Sequence, residues 1–462
     1  MFSVRGKYMD KKVMLESLIR DAYEKGVFNG TWLYAENGKI VSKGAMGYRD
    51  PYDKLPMRED SIFELASITK QFTATAVMLL VREGLLGLDD EVTKFFPQIP
   101  FPGVTIRHLL THTGGIPETY DNNMIMGIYQ EEKRIPENDI VIRFLEEGCE
   151  GPCFAPGERF EYTNGGYNLL AEIVEKVSGI PFEEYLRTRI FEPAGMFRTG
   201  VYHVGNEGIP HDNFVCNMVL KDDRYITVDE SDNSDVMAFN GLNGDDYVYT
   251  DIFDMFIWDR ALREEKVITL EEQKIMYTPG RLSDGSISTS DENTDGYGFG
   301  WGIKNDPDLG QIVSHSGGMP GLNTWYWRFT DADRVLVLFD CREQKDARAS
   351  FGLWKGVQEI AKDREPEPVK AIEDIMIQDP DRSKWDSFSG KYEHPEEGDM
   401  ILDEIFMKDE YLYAKTMDGD EEGSDVRLYP IGENEFGIKN EWMTFTFSDT
   451  GVTYDGRTCK KV

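Results

Sequence analysis

Two prolines set among charges, in "REPEPVKAIED" from Arg364, separate two kinds of sequence pattern. Upstream, runs with the 3.6-residue period of helices alternate with extended runs rich in β-branched and aromatic residues. Beyond about residue 380 only short alternating strands remain, among them "GKYEHP", "YLYAKTMD", "NEFGIKN" and "WMTFTFSD", with turn residues between them. Such a chain is expected to fold as an α/β domain, a sheet covered by helices, followed by a small all-β barrel or sandwich. The boundaries expected are 1–365 for the first domain, 366–380 for a linker and 381–462 for the second. With 462 residues there is enough chain for two cores.

Within the first domain, residues 12–26 form an amphipathic pattern with Val13, Leu15, Leu18, Ile19 and Ala22 on one side. Two extended runs follow, joined at Glu36-Asn37-Gly38, where Asn-Gly signals a hairpin. Helices are expected over Asn168–Val177, stopped by Ser178-Gly179 and Pro181, and over "IFDMFIWDRAL". After them "YGFGWGI", "GQIVSHSGG", "LNTWYWRFT" and "RVLVLFD" read as successive strands, and "SFGLWKGVQEIAKD" as a helix.

Charge narrows the partners. Lys and Arg total 50 against 85 Asp and Glu, a formal charge of -35, and such a surface repels phosphate backbones and anionic lipids. Neither nucleic acid nor a membrane is an expected partner, and no apolar run has the length of a membrane span. The opening residues carry scattered charges and no leader-like apolar stretch, so the chain reads as cytoplasmic. Five cysteines give no regular framework, and Cys149 and Cys153 in "CEGPC" read as free thiols with no second pair at zinc-like spacing.

Three motifs carry the chemistry. In "ELASITKQFTATAVMLL" Ser67 and Lys70 stand three apart, on one helical face, with the serine at the helix N-terminus. An apolar setting is expected to lower the Lys70 pKa and leave neutral amine to take the serine proton. In "FEYTNGGYNLL" Tyr162 and Asn164 lie in a loop ahead of a helix, a phenol that relays protons and an amide that holds a carbonyl. In "IVSHSGGMPG" a strand ends at His315-Ser316-Gly317-Gly318, whose glycines let backbone N–H groups approach a ligand.

In this order and at these distances the motifs resemble those of the penicillin-recognising serine hydrolases. That family joins class C β-lactamases, D-Ala-D-Ala carboxypeptidases, D-aminopeptidases and related esterases. "TIRHLLTHTGGIP" from Thr105, "YNLLAEIVEKVSGIPFEEYL" from Tyr167, "IFEPAGM" from Ile190 and "GDDYVYTDIFDMFIWDRAL" from Gly244 are similar to further family segments. The resemblance spans most of residues 28–362, and the β-rich tail is similar to a lipocalin-like appendage of some members. It implies an antiparallel sheet flanked by helices, with an all-helical subregion.

It also implies roles. Ser67 would be the acylated nucleophile, with Lys70 and Tyr162 a proton-transfer couple in which the Lys70 ammonium lowers the Tyr162 pKa. The backbone N–H groups of Ser67 and Gly318 would form the oxyanion hole. Asn164, His315, Ser316 and Gly317 would bind substrate, a small molecule or short peptide, with no cofactor and no metal. β-Lactamases of this type ordinarily keep lysine where this chain has His315, which favours peptide, amide or ester bonds next to D-residues. The alternatives are a β-lactamase or carboxylesterase of the same fold, or a penicillin-binding sensor that acylates without turning over.

The remaining features have plainer readings. His108 and His112 are four apart on an expected helix, a metal-compatible spacing without a carboxylate base between them. Acidic runs such as "GDEEGSD" read as solvated loops, and "DENTDG" lacks the spacing of a calcium loop. Trp325, Tyr326 and Trp327 alternate faces on a strand, half of them expected in the core and half available to line a cleft. Oligomeric state is left open.

Overall fold

The computed structural model describes residues 10–120, 123–132, 135–203, 213–221, 224–231, 234–289, 294–393, 401–418, 421–439, 443–448, 450–454 and 457–462. The first nine residues, part of the leader reading, and 291–293 of the calcium reading lie outside them, as do 419–420 of "GDEEGSD". Chain contacts divide the molecule into two compact units, Asn29–Glu343 and Met1–Phe28 with Gln344–Val462.

In the first unit seven antiparallel strands form one sheet: β1 (Gly30–Glu36), β2 (Lys39–Met46), β3 (Gly296–Tyr297), β4 (Gly302–Asp306), β5 (Gly310–Met319), β6 (Leu322–Phe329) and β7 (Arg334–Asp340). Their order is β2-β1-β7-β6-β5-β4-β3. The near-continuous apolar run of β7 follows from its central place, buried from Val335 to Asp340. β1 and β2 turn at Asn37 and Gly38, both with positive φ (49° and 71°), as a tight hairpin of right-handed strands requires.

Helices cover this sheet. Lys70–Arg82 is buried continuously from Lys70 to Leu80, so it runs through the core rather than along a surface. Asn164–Ser178 ends at Gly179 in the left-handed conformation, as its sequence predicts, but begins four residues earlier than expected, with Asn164 itself helical. Ile252–Arg263 is capped by Asp251, whose carboxylate accepts from the amides of Phe253 (2.9 Å) and Asp254 (2.8 Å).

In the second unit the helices Lys11–Glu24 and Ala347–Ala361 pack together, with Leu18 against Gly356. Val13, expected on the apolar face, is 61 % exposed, and Leu15, Leu18, Ile19 and Ala22 make the buried stripe. Among the described residues from Gly390 onward, nine strands form a nearly closed, barrel-like antiparallel sheet around Trp385, Phe388, Leu402, Phe436 and Phe447. Among the described residues no helix is long and apolar enough to cross a membrane.

Candidate active site

Ser67 lies on a 3-10 turn, Ala66–Thr69, which runs directly into the Lys70–Arg82 helix. Backbone on both sides clamps this turn. The Leu65 amide donates to Val248 O at 2.8 Å, and the Thr324 hydroxyl donates to Leu65 O at 2.8 Å. β5 comes closer still: a Cβ on Gly317 would stand 2.1 Å from Leu65 O, so only glycine lets the strand abut the nucleophile turn. Ala66 carries a φ of 47°, a left-handed conformation that costs a non-glycine residue about 1–3 kcal/mol. Packing therefore holds the serine in place against local preference.

Lys70 is fully buried, and its ammonium donates to Ser67 Oγ (2.9 Å), Asn164 Oδ1 (2.7 Å) and Asp245 O (3.3 Å). Three acceptors match the three N–H groups of a charged amine. Burial pushes the Lys70 pKa down, but Tyr162, Asp246 and Asp245 outweigh it and the net direction is upward. This corrects the expectation of a depressed lysine: the apolar helix is only one of its surroundings, and the anionic ones come from residues far along the chain.

Tyr162 stands beside this amine, with Lys70 Nζ 5.0 Å from its ring centre. Burial raises the phenol above its usual pKa, and Lys70 and Ser67 only partly offset this, so the expected lowering is also corrected. The residue is 39 % exposed, so solvent screens part of that upward push. Behind Tyr162, His112 stacks at 4.2 Å between ring centres. Its Nδ1 accepts from the Thr163 amide at 3.3 Å, which leaves the proton of the neutral ring on Nε2. Burial, Lys70 and His315 together hold it neutral. The helix expected to carry both histidines covers only Ile106–Leu110; His112 lies beyond it with a φ of 54°, and His108 accepts from Thr105 in a capping box.

His315 on β5 completes this wall. Its Nδ1 lies 2.6 Å from Ser316 O, a pure acceptor, so Nδ1 carries the proton and Nε2 accepts from the Tyr297 hydroxyl at 2.8 Å. Burial and the Lys70 charge push the His315 pKa down to about 4. Ser316 and Gly318 are exposed, and nothing lies within 4 Å of where a Gly318 Cβ would be, so this end of β5 borders open space. Of Trp325, Tyr326 and Trp327, the latter two are buried and Trp325 is half-buried.

Sequence reasoning missed three partners. Asp246 accepts from Ser67 Oγ at 3.3 Å and from the Tyr120 hydroxyl at 3.1 Å. Asp245 presents its carbonyl to Lys70 and its carboxylate to Asn168. Both acids are buried, and burial raises both pKa values. The third is Tyr297, read only as a strand residue. The one available signal for the acids was their position just ahead of the capped helix, within "GDDYVYTDIFD".

A family model described as beta-lactamase matches residues 15–351. Penicillin-binding protein 4* of Bacillus subtilis (strain 168) is 37 % identical over 354 residues, 76 % of each chain. The octameric penicillin-binding protein homologue from Pyrococcus abyssi superposes with a TM-score of 0.67 at 25 % identity, covering 98 % of this chain and all of that one. The D-amino acid amidase from Ochrobactrum anthropi SV3 shares the fold, with a TM-score of 0.61 at 24 % identity over 77 % of this chain and 97 % of the other. The chain belongs to the beta-lactamase family, as an enzyme of its penicillin-recognising serine-hydrolase type.

Proposed function

We propose that the chain hydrolyses small peptide, amide or ester substrates through an acyl-enzyme on Ser67, with D-amino-acid derivatives the favoured class. The observation that carries this reading is the Lys70 ammonium 2.9 Å from Ser67 Oγ, with Tyr162 beside both. Ser67 Oγ attacks the substrate carbonyl carbon, and its proton passes to the Lys70–Tyr162 couple, which returns it to the leaving group. The amide N–H groups of Ser67 and Gly318 receive the oxyanion. Asn164 has its amide oxygen occupied by Lys70, so its NH₂ is the end that meets a substrate carbonyl. Water then releases the acyl group.

His315 supports peptide or amide chemistry over β-lactam hydrolysis. It is neutral above about pH 4 and holds a hydrogen bond to Tyr297, so it offers a leaving group a dipole rather than the fixed cation of a lysine. The resemblance that places lysine here in β-lactamases gives that difference its weight. The same reading assigns residues 1–365 to the hydrolase domain and 381–462 to an appended barrel. It places the chain in the cytoplasm, where its five free cysteines stay reduced.

The test is a hydrolysis screen of D- and L-amino-acid amides, D-Ala-D-Ala peptides, short acyl esters and nitrocefin, with Ser67→Ala as control. Turnover of D-amino-acid amides or peptides, lost in the control, is the expected result. Preference for nitrocefin would replace this reading by a β-lactamase, and a burst without steady turnover by a penicillin-binding sensor.

A further inference from the structure

A cavity of about 170 Å³ opens beside the nucleophile turn, in the same compact unit. Its wall includes Glu64, three residues before Ser67, and Met319, next to Gly318. The aromatic side is Phe214 and Tyr249, stacked at 5.1 Å, with Tyr247. Tyr247 has a φ of 72°, a genuine outlier for a bulky residue, so the wall is held at the expense of backbone strain next to Asp246.

The charged groups of the described lining have one sign. Glu64 is 5 % exposed; its Oε2 accepts from Asn217 (3.2 Å) and Tyr249 (3.4 Å), whereas Oε1 accepts no hydrogen bond from the described residues. Asp229 adds a second, exposed carboxylate, and among the described residues the lining contains no lysine, arginine or histidine. A buried carboxyl oxygen without a donor is costly, and a charged donor brought by a ligand would remove that cost. Aromatic faces favour a cation in the same place. Burial, with Asp246 adding to it, holds the Glu64 pKa up to about 8, which agrees with a carboxyl that lacks its counter-ion. The space is smaller than the roughly 300–1,000 Å³ of sites that take a whole drug-sized ligand, so it suits one side chain.

We infer that this cavity is a subsite for a primary ammonium group on a short aliphatic stem, the end of a basic side chain of the substrate. The assignment of the ammonium to a substrate rests on the hydrolase reading above; the binding itself does not. Glu64 takes the ammonium by a charge-assisted hydrogen bond, the stem lies along Phe214 and Tyr249, and Asp229 attracts the cation at long range.

The test is calorimetric titration of the full chain with n-butylammonium chloride and with 1-butanol, its uncharged counterpart. Butylammonium is expected to bind about tenfold or more tightly than butanol. Glu64→Gln should remove that preference while leaving butanol binding unchanged. Equal affinity for the two ligands, no saturable binding of butylammonium, or binding indifferent to Glu64→Gln overturns the inference. Should Glu64→Gln fail to fold, the two ligands compared on the unaltered chain decide alone. Comparing the titration with the hydrolysis screen, both on the unaltered chain, separates the two readings: butylammonium binding without hydrolysis of any substrate would reject the hydrolase, and hydrolysis without such binding would reject only the subsite.

Discussion

Two clusters of buried charge lie in the same compact unit and behave in opposite ways. Around Asp259 the guanidinium groups of Arg328 (2.7 Å), Arg263 (3.3 Å) and Arg260 converge, and Arg328 also donates to the Tyr277 hydroxyl at 2.7 Å. Burial raises the Asp259 pKa, but the three cations win and hold it below the usual carboxylate range. Around Lys70 the balance is reversed: one ammonium faces Asp245 and Asp246, and both acids are pushed upward. The first cluster locks its charges. The second crowds Lys70, Tyr162, Asp245 and Asp246 together and pushes all four pKa values upward, the kind of perturbation found where protons are moved.

The comparison is broken most visibly at Ser67. Ser67→Ala is expected to abolish turnover, by several orders of magnitude in kcat, while the folded chain keeps its thermal midpoint. Lys70→Ala and Tyr162→Phe should each lose about 10³-fold, and the double variant far less than the product, because they act as a unit. Additive losses in kcat/KM would separate them.

Stability should follow the opposite order. Asp259→Ala strands buried guanidinium groups and should lower the unfolding free energy by about 3–5 kcal/mol in a urea titration, with kcat/KM of the folded protein preserved. Lys70→Ala should lower it less, since burial already pushes the pKa values of Asp245 and Asp246 upward. Equal losses for the two variants would erase the distinction.

Two pH effects are smaller. Lys70 and Tyr162 both hold their protons above their ordinary range, and the form that accepts the serine proton has one proton fewer. The kcat/KM of the free enzyme should therefore rise with pH through neutrality, up to about tenfold per unit; a flat profile between pH 6 and 9 would contradict this. His315 has a folded pKa of about 4 against about 6.5 unfolded, so the folded state binds fewer protons between them. Its contribution to stability is full above pH 6.5 and lost as pH falls through 4. His315→Gln should flatten that part of the acid limb in urea midpoints taken at pH 7 and pH 4.

Much of this was legible from local pattern. Turn chemistry at Asn37-Gly38 and the apolar run of β7 depend on near neighbours, and each appears where its sequence predicts. Ser67, Lys70 and Asn164 meet through hydrogen bonds, and Tyr162 stands against Lys70, from motifs about 95 residues apart. What could not be read was the charge state. Burial lowers the Lys70 pKa, and it is raised by Tyr162 and by Asp246 and Asp245, the last two some 175 residues later in an acidic pair whose polar stretch carries no mark of burial. Val13 failed for a related reason: a helical stripe predicts which side is apolar, not where packing ends.

Reactivity of one hydroxyl is the point on which everything else turns, and intact-mass spectrometry after incubation with benzylpenicillin or a fluorophosphonate probe measures it directly. A single adduct, mapped to Ser67 and absent from Ser67→Ala, is the predicted result. An adduct of the same mass on the alanine variant would place the nucleophile elsewhere and contradict the assignment.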